Sequence, residues 1–218
     1  MLHVDRGQLS YWPSLEMTIS NFGAAPLSIA FSPDGQHIVS GSNDGMIRVW
    51  NAITGETVAG IIIGHAVVSV AFSPDGQHIV LGSWGEICVW DSMMGERAAG
   101  PSRGHNGLVT SVAFLPDGRK IISGSTDHTI RVWNIMLGVT ARGPFAKHTD
   151  AVLSVAFLPD GRYIVSGSED RTIRVWHTIM GSIVAAPFRG HTDSVDSVAF
   201  SPNGQHIVSG SWDRTIRV

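Results

Sequence analysis

Cysteine is nearly absent from this 218-residue chain, which contains Cys88 alone. A single cysteine excludes an internal disulfide and a zinc site built from cysteines. Cys88 lies in an apolar run that is typical of a strand, so we expect a buried, unreactive thiol. The chain is long enough to form a sizeable hydrophobic core without covalent cross-links.

Lysine is also scarce, since Lys120 and Lys147 are the only two against thirteen arginines. The formal net charge is −3 and there is no basic run that could follow a phosphate backbone, which argues against nucleic-acid binding. The N-terminus lacks the apolar segment of a signal peptide, and the most apolar stretch, residues 61–72, is too short to span a bilayer. We therefore expect a cytoplasmic protein that does not contact a membrane.

A sustained 3.6-residue apolar period is missing, whereas β-branched residues fill many short runs, and this predicts an all-β fold. A six-residue motif, AFSPDG or a close variant, recurs every 41 to 43 residues, and its copies end at Gly35, Gly76, Gly118, Gly161 and Gly204. Each unit has the pattern of four short antiparallel strands separated by tight turns. Units of this kind predict five blades of a β-propeller, which bury their faces by stacking on one another.

Two dipeptides recur in fixed register along these units. Gly-His pairs lie at residues 64–65, 104–105 and 190–191, and Val-Trp pairs lie at 49–50, 89–90, 132–133 and 175–176. With these features residues 14–218 resemble WD40-repeat β-propellers, and the near-identity of the copies resembles the repeats of fungal NACHT-type nonself-recognition receptors. The resemblance implies a non-catalytic scaffold without a cofactor, which presents one propeller face to a protein or peptide partner.

The repeat boundaries predict a short tail and one propeller domain. We assign residues 1–13 to the tail and 14–218 to the propeller, with repeats at about 22–60, 61–101, 102–144, 145–187 and 188–218. The last repeat stops one position before its tryptophan, so we expect the fifth blade to be incomplete. Residues 14–20 alternate apolar and polar side chains and align with the outermost strand of the fourth repeat, so they are a candidate to close a five-bladed ring. The alternative is an open arc of a larger propeller, with an unpaired blade edge available for self-association.

Histidine, serine and aspartate recur at matching positions in the last three repeats, and tryptophan joins them in two. Such a set is also what a serine hydrolase requires. A catalytic set appears once, however, and the resemblance to WD40 repeats implies a buried structural tetrad in each blade. Histidines in different blades cannot converge on one metal ion. The residues are His105, Ser123, Asp127 and Trp133; His148, Ser166, Asp170 and Trp176; and His191, Ser209 and Asp213.

The first two repeats depart from this pattern. Phe22 occupies the histidine position of the first repeat, which leaves the other three members one partner short. The second repeat has lost its aspartate, and Leu81 replaces the serine. Because a single remaining polar group is costly when buried, we expect His65 to be the residue at risk and the second blade to be the loosest.

A partner-binding face is expected where the turns before the conserved aspartates emerge, because the residue just before each aspartate is exposed in such propellers and varies here. These positions are Asn43, Trp84, Thr126, Glu169 and Trp212, and the neighbouring positions at the starts of the inner strands are Leu27, Val68, Thr110, Leu153 and Asp196. Surface tryptophan is enriched in binding hot spots. The alternative is a lectin-like propeller in which the two tryptophans stack on sugar rings. A glycosidase would need paired carboxylates, and the inner strands offer one clear candidate.

Overall fold

The computed structural model describes residues 18–19, 23–135 and 139–218. In these residues the protein is all-β, with seventeen strands and no helix. No described segment is therefore a helix long and apolar enough to cross a bilayer.

The strands are grouped in five antiparallel blades along the chain. Blade one contains β1 (Pro26–Phe31), β2 (His37–Ser42), β3 (Met46–Asn51) and β4 (Thr57–Ile62). Blade two contains β5 (Ser69–Phe72), β6 (His78–Gly82), β7 (Trp84–Asp91) and the first part of β8 (Arg97–Phe114). Blade three contains the rest of β8, β9 (Lys120–Ser125), β10 (Ile130–Asn134) and β11 (Val139–Phe145). Blade four contains β12 (Val152–Phe157), β13 (Tyr163–Ser168) and β14 (Ile173–His177), and blade five contains β15 (Val195–Phe200), β16 (Ile207–Ser211) and β17 (Ile216–Arg217).

The predicted all-β fold of propeller blades is confirmed, but three of the expected strands are not separate elements. The outer strand of blade two and the inner strand of blade three form one continuous strand, β8, which joins both blades into a seven-stranded sheet. The fourth strand of blade four is reduced to two isolated bridges, Trp176 with Ile183 and Ile173 with Phe188. A bend at residues 184–186 interrupts the ladder there, and Pro187 has no N–H to donate.

Neighbouring blades pack through a pair of valines set against a glycine. A Cβ atom on Gly124 would lie 2.7 Å from Cγ1 of Val152 and 3.1 Å from Cγ1 of Val155, so only glycine allows this approach. The same contact joins Gly41 to Val67 and Val70, Gly82 to Val109 and Val112, and Gly167 to Val195 and Val198. All eight valines are at most 6% exposed. Each of blades one to four therefore completes its core with residues at the inner strand of the next blade.

Serine side chains fix the register between successive inner strands. The Oγ atom of Ser28 accepts a hydrogen bond from the N–H of Val70, one repeat further along the chain, at 3.1 Å. The same bond joins Ser69 to Val112, Ser111 to Val155 and Ser154 to Val198, at 3.1–3.2 Å. The valines of the glycine contact are thus also held through their backbone.

The described residues form an open arc, which is the alternative to a closed ring. Contacts between inner strands run in the order β1, β5, β8, β12 and β15, and no contact of comparable size joins β15 to β1 in the described part of the chain. Ile29 and Phe31 of β1 are 69% and 65% exposed, and a Cβ on Gly210 in β16 would have no atom within 4 Å. The predicted closing strand, residues 14–20, lies outside the described residues except for positions 18 and 19, which are not in a strand.

The glycine contact predicts that the same glycine-to-alanine substitution changes the stability by different amounts at two equivalent positions. Gly124→Ala should lower the free energy of unfolding by about 1–3 kcal/mol, because the new methyl group overlaps Val152. Gly210→Ala should change the free energy of unfolding by less than about 1 kcal/mol, because the same methyl group meets open space. Any increase in stability would come from the unfolded chain, which alanine restricts more than glycine does. Urea denaturation of both variants measures the difference. An equal loss at Gly210 would mean that the blade-five face is covered in solution.

Candidate functional site

Blade three contains a complete hydrogen-bonded tetrad. His105 Nδ1 lies 2.9 Å from Asp127 Oδ2, His105 Nε2 lies 2.7 Å from Ser123 Oγ, and Trp133 Nε1 donates to Ser123 Oγ at 2.8 Å. A carboxylate only accepts hydrogen bonds, so Nδ1 carries the proton and Nε2 accepts the serine O–H. The serine oxygen then accepts the indole N–H, and every polar atom along this path is satisfied.

The tetrad recurs in blade four and, without an indole, in blade five. In blade four His148 lies 2.8 Å from Asp170 and 2.7 Å from Ser166, and Trp176 donates to that serine at 2.8 Å. In blade five His191 lies 2.7 Å from Asp213 and 2.9 Å from Ser209. All three predicted sets are thus brought together in the structure.

These sets lack the access that a hydrolase requires. The three serines are at most 2% exposed and the three histidines at most 7%. A nucleophile must stand in a cleft where a substrate carbonyl can reach it, and Ser123 and Ser166 are instead held between a histidine ring nitrogen and an indole N–H in the core. The geometry is that of a clamp between strands. Among the described residues there is also no group of histidine, cysteine or carboxylate side chains that could hold a metal ion.

A threonine two residues after each aspartate completes the cluster and was not among the predicted site residues. Thr129 donates its hydroxyl to Asp127 and lies 3.2 Å from His105 Nδ1, and Thr172 and Thr215 repeat this contact in the next two blades. Serine and threonine bond to neighbouring turn groups in this way. The signal was present as the recurring Asp-x-Thr-Ile-Arg pattern.

The aspartates of the tetrads are held in the charged form. Burial opposes this for Asp127 and Asp170, but hydrogen bonds from the histidine, the threonine and one backbone N–H move the pKa of both carboxyl groups well below the usual 3.8. For Asp213 the Thr215 hydroxyl is the largest cause of the lowered pKa, and the His191 bond adds to it against the effect of burial.

In blade one an arginine pairs with the aspartate, whereas in blades three to five a histidine does. Trp50 Nε1 donates to Ser40 Oγ at 2.9 Å, as in the complete tetrads. Asp44 forms an ion pair with Arg48 at 3.1 Å and accepts the N–H of Met46. The aspartate therefore has partners. Phe22, which stands at the histidine position, lies outside the described residues.

In blade two the residue at risk is a tryptophan, so the prediction for His65 is wrong. His65 is exposed, and water can satisfy its ring. The buried Nε1 of Trp90 instead has no hydrogen-bond partner, because Leu81, fully buried, stands where the other blades have serine. Leu81 is paired with Cys88, which is 2% exposed and whose thiol pKa is raised by burial.

The turns before the aspartates form one face of the blades, which we call the turn face. The five predicted positions on these turns are all exposed: Asn43, Trp84, Thr126, Glu169 and Trp212. Trp84 and Trp212 are 68% and 69% exposed. In blades three to five the residue after each aspartate has a positive φ, for example His128 at 67°. This conformation makes a tight turn, and the residue just before the aspartate lies at its tip.

The second group of predicted face residues is divided by the structure. Leu27 is 48% exposed and Asp196 is exposed, whereas Val68, Thr110 and Leu153 are half-buried. The Thr110 hydroxyl is also engaged, since it donates to the carbonyl oxygens of Gly124 and Val152. Because this threonine bridges blades three and four, its hydroxyl is not available to a partner.

The exposed tryptophans have polar neighbours. The pKa of the Asp196 carboxyl is raised, mainly by burial and also by the charge of Asp193. A hydrogen bond from Trp212 opposes this shift. Trp84 borders a groove of about 370 Å³ whose walls include Glu86 and Arg103, which form an ion pair at 2.7 Å. The two tryptophans belong to blades two and five, so they mark two separate places on the turn face.

Comparison with known families identifies the repeat. The family model described as "WD domain, G-beta repeat" matches residues 17–51, 56–91, 101–134, 141–177 and 182–218. These five matches cover most of the chain, and each contains one copy of the repeating motif. The first match starts in the region that the sequence predicts to be an outer strand, and the last starts in the corresponding segment of blade four.

Short stretches of the chain are similar to three characterised proteins. They are 44% identical over 44 residues to vegetative incompatibility protein HET-E-1 of Podospora anserina, 53% over 34 residues to WD repeat-containing protein 82 of Drosophila melanogaster, and 52% over 29 residues to the periodic tryptophan protein 2 homolog of Mus musculus. These stretches cover 20%, 16% and 13% of this chain, and 3%, 11% and 3% of the relatives. The similarity therefore concerns individual repeats.

The lowered carboxyl pKa values predict a loss of stability in acid. A group whose pKa is lower when folded stabilises the protein above its unfolded pKa, and that contribution is lost as the pH falls through the folded value. The free energy of unfolding should therefore decrease below about pH 4. Asp127→Asn should cost about 1.5–3 kcal/mol at neutral pH and flatten the acid dependence.

Urea denaturation at a series of pH values measures this effect. Asp117→Asn is the matched control, because Asp117 lies in an exposed hairpin turn and contacts the backbone of Arg119 only two residues away. An unchanged acid dependence in Asp127→Asn would contradict the role of the tetrad carboxylate.

The two indole environments predict different costs for removing an N–H. Trp133→Phe removes a hydrogen bond and leaves Ser123 without its donor, whereas Trp90→Phe removes an N–H that has no partner. We expect the first substitution to cost about 1–2 kcal/mol more than the second, since the loss of ring size is common to both. Denaturant midpoints of the two variants give this difference, and equal losses would refute it.

Proposed function

This chain belongs to the WD40 repeat family, and we propose that it is a non-catalytic scaffold whose turn face binds a protein or peptide partner. WD40 repeats are in general protein-interaction modules. The observation that supports this use of the turn face is the pair of tryptophans at equivalent turn positions, Trp84 and Trp212, each about two-thirds exposed.

The energetics favour a binding role for these side chains. An exposed indole keeps a large apolar surface in contact with water. When a partner covers the side chain, this surface is buried, and the burial favours binding. Tight turns hold both residues in place, and the cluster of His191, Ser209 and Asp213 adds to this for Trp212, so little conformational entropy is lost on binding. Tryptophan is also enriched among the interface residues that contribute most to affinity.

The chemistry around the tryptophans favours a polypeptide over a phosphate-rich ligand. Asp193, Asp196 and Glu169 are exposed acidic residues near the blade-five end of the face, and Arg214 is an exposed base on the same turn as Trp212. Charges of both signs beside aromatic side chains can offer a partner ion pairs, hydrogen bonds and apolar contact together, as protein interfaces do. A uniformly basic groove, which nucleic acids require, is not found among the described residues.

A peptide library displayed on phage and selected against the purified protein tests the proposal. Peptides that bind the turn face should bind Trp84→Ala or Trp212→Ala at least about tenfold more weakly, as expected for a hot-spot residue. Met180→Ala is the matched control, because Met180 is 76% exposed on a turn between third and fourth strands, at the opposite end of the sheet. The selected peptides should bind the Met180→Ala variant with the same affinity as the parent protein.

Two results would contradict the proposal. Selected peptides that bind both tryptophan variants as tightly as the parent protein would place binding elsewhere. Sugar binding on a glycan array that is lost in Trp212→Ala would instead assign the face to carbohydrate.

A further inference from the structure

The outer edge of blade one is an uncharged strand. β4 ends the four-stranded sheet of this blade, and no described strand pairs with its outer side. Its register against β3 shifts once, between Val49 and Trp50, and is unbroken from Met46 to Val49. Residues 57–63, TVAGIII, contain no charged side chain and no proline. The edge therefore lacks the charges and prolines that commonly keep edge strands from pairing with another chain.

The outer strands of blades two to four have such protection. Proline stands four residues before the histidine that follows each of these strands, at Pro101, Pro144 and Pro187, whereas blade one has Ile61 there. The register between the third and outer strands shifts at least twice in blades two and three, and in blade four this pairing is reduced to two bridges. Among these four blades, blade one alone therefore presents an outer edge that can accept a regular strand.

This edge lies on the outer rim of the blade, away from the faces on which neighbouring blades stack. Met46 pairs with Ile62 in blade one, and Glu86 pairs with Arg103 at the equivalent place in blade two. The side chain of Arg103 is 76% exposed although blade one packs against blade two. The 75% exposure of Ile62 therefore does not depend on whether another blade precedes blade one.

Alternate residues of β4 direct their backbone groups outwards. The N–H of Ile63 donates to the carbonyl oxygen of Gly45 at 2.7 Å, so the backbone groups of Ile63 face β3. Hydrogen bonds of an antiparallel ladder recur at every second residue of a strand. Ile61 therefore also bonds to β3, whereas Gly60 and Ile62 direct their N–H and C=O groups towards the open edge.

We propose that this edge pairs with the same edge of a second copy of the chain, with the two β4 strands antiparallel about Ile61. In this register Gly60 of each copy stands opposite Ile62 of the other, and each such pair exchanges both of its N–H···O bonds. The two four-stranded sheets then become one continuous sheet. The interface has twofold symmetry, which requires a self-complementary patch.

The side chains of β4 are complementary to themselves in this register. Ile62 lies over Gly60 of the second copy, where there is no side chain, and beside Met46 of that copy. Within one chain Met46 Cε is 3.9 Å from the place that a Cβ on Gly60 would occupy. Covering the exposed isoleucine buries apolar surface, and no like charges meet because the strand is uncharged.

The association should be weak because the contact is short. A single strand pair is smaller than the standard interface of about 1,600 Å², so we expect a dissociation constant of about 10–100 µM. The edge is separate from the turn face, so the dimer and the proposed partner binding can each fail alone.

Light scattering on a size-exclusion column tests the dimer, with the full chain at about 5 to about 500 µM to bracket the expected constant. The mass should rise from that of a monomer to that of a dimer. Ile62→Arg gives blade one the residue that blade two has at this position, and it should weaken association at least about tenfold, because a charged edge opposes pairing. Ile53→Arg is the matched control, since Ile53 is 81% exposed on the turn before β4, and it should dimerise as the parent does.

Amide hydrogen exchange, followed by NMR, locates the contact. The N–H groups of Gly60 and Ile62 should exchange more slowly as the concentration rises, both in the parent protein and in Ile53→Arg. In Ile62→Arg the exchange of Gly60 should not depend on concentration. Both substituted side chains are exposed, so neither variant disturbs the core.

Four results would overturn the proposal. A monomer at every concentration would mean that the edges do not pair, and a dimer that persists unchanged in Ile62→Arg would place the association on another surface. Fast exchange of the Gly60 and Ile62 amides in a dimeric sample would do the same. Protection of both amides in a monomer would mean that another segment of the chain covers the edge.

Discussion

The structure depends on one repeated contact, in which two valines of an inner strand press against a glycine in the blade before it. This contact occurs four times, from Gly41 to Gly167, and it allows the strands of neighbouring blades to approach more closely than any other residue would permit. Dispersion and burial of apolar surface supply the energy, and the serine bonds between inner strands set the register. A blade cannot bury both of its faces alone, so the stability of the fold comes from the contacts between neighbouring blades.

The tetrads stabilise blades three and four internally and leave the turns free to vary. His148, Ser166, Asp170 and Trp176 connect the second strand, the third strand and the turn between them to the loop that leads into the blade. The residue just before the aspartate takes no part in this network, so it can be Asn43 in one blade and Trp212 in another without loss of the turn. A rigid frame with variable tips is what a binding surface requires.

Sequence patterns predict the blades and tetrads because both repeat, and repetition turns weak local signals into a strong one. They fail where a repeat departs from its own pattern. The loss of an aspartate and a serine in the second unit does not reveal that His65 turns to solvent while the Trp90 N–H stays in the core, because that outcome depends on packing around Leu81. The merging of two strands into β8 and the interruption of the fourth strand before Pro187 depend likewise on contacts outside the motif.

The valine and glycine contact gives the array a direction. Blades two to five each have a glycine on one side and a valine pair on the other, so a stretch of 43 residues copied within the gene would carry both halves of the contact with it. Such an insertion needs no new complementary surface, and the added blade presents a fresh turn tip while its core is already specified. A copied repeat would therefore extend the array with its interior unchanged, while the residues at the turn tips differ from blade to blade, as Asn43 and Trp212 do.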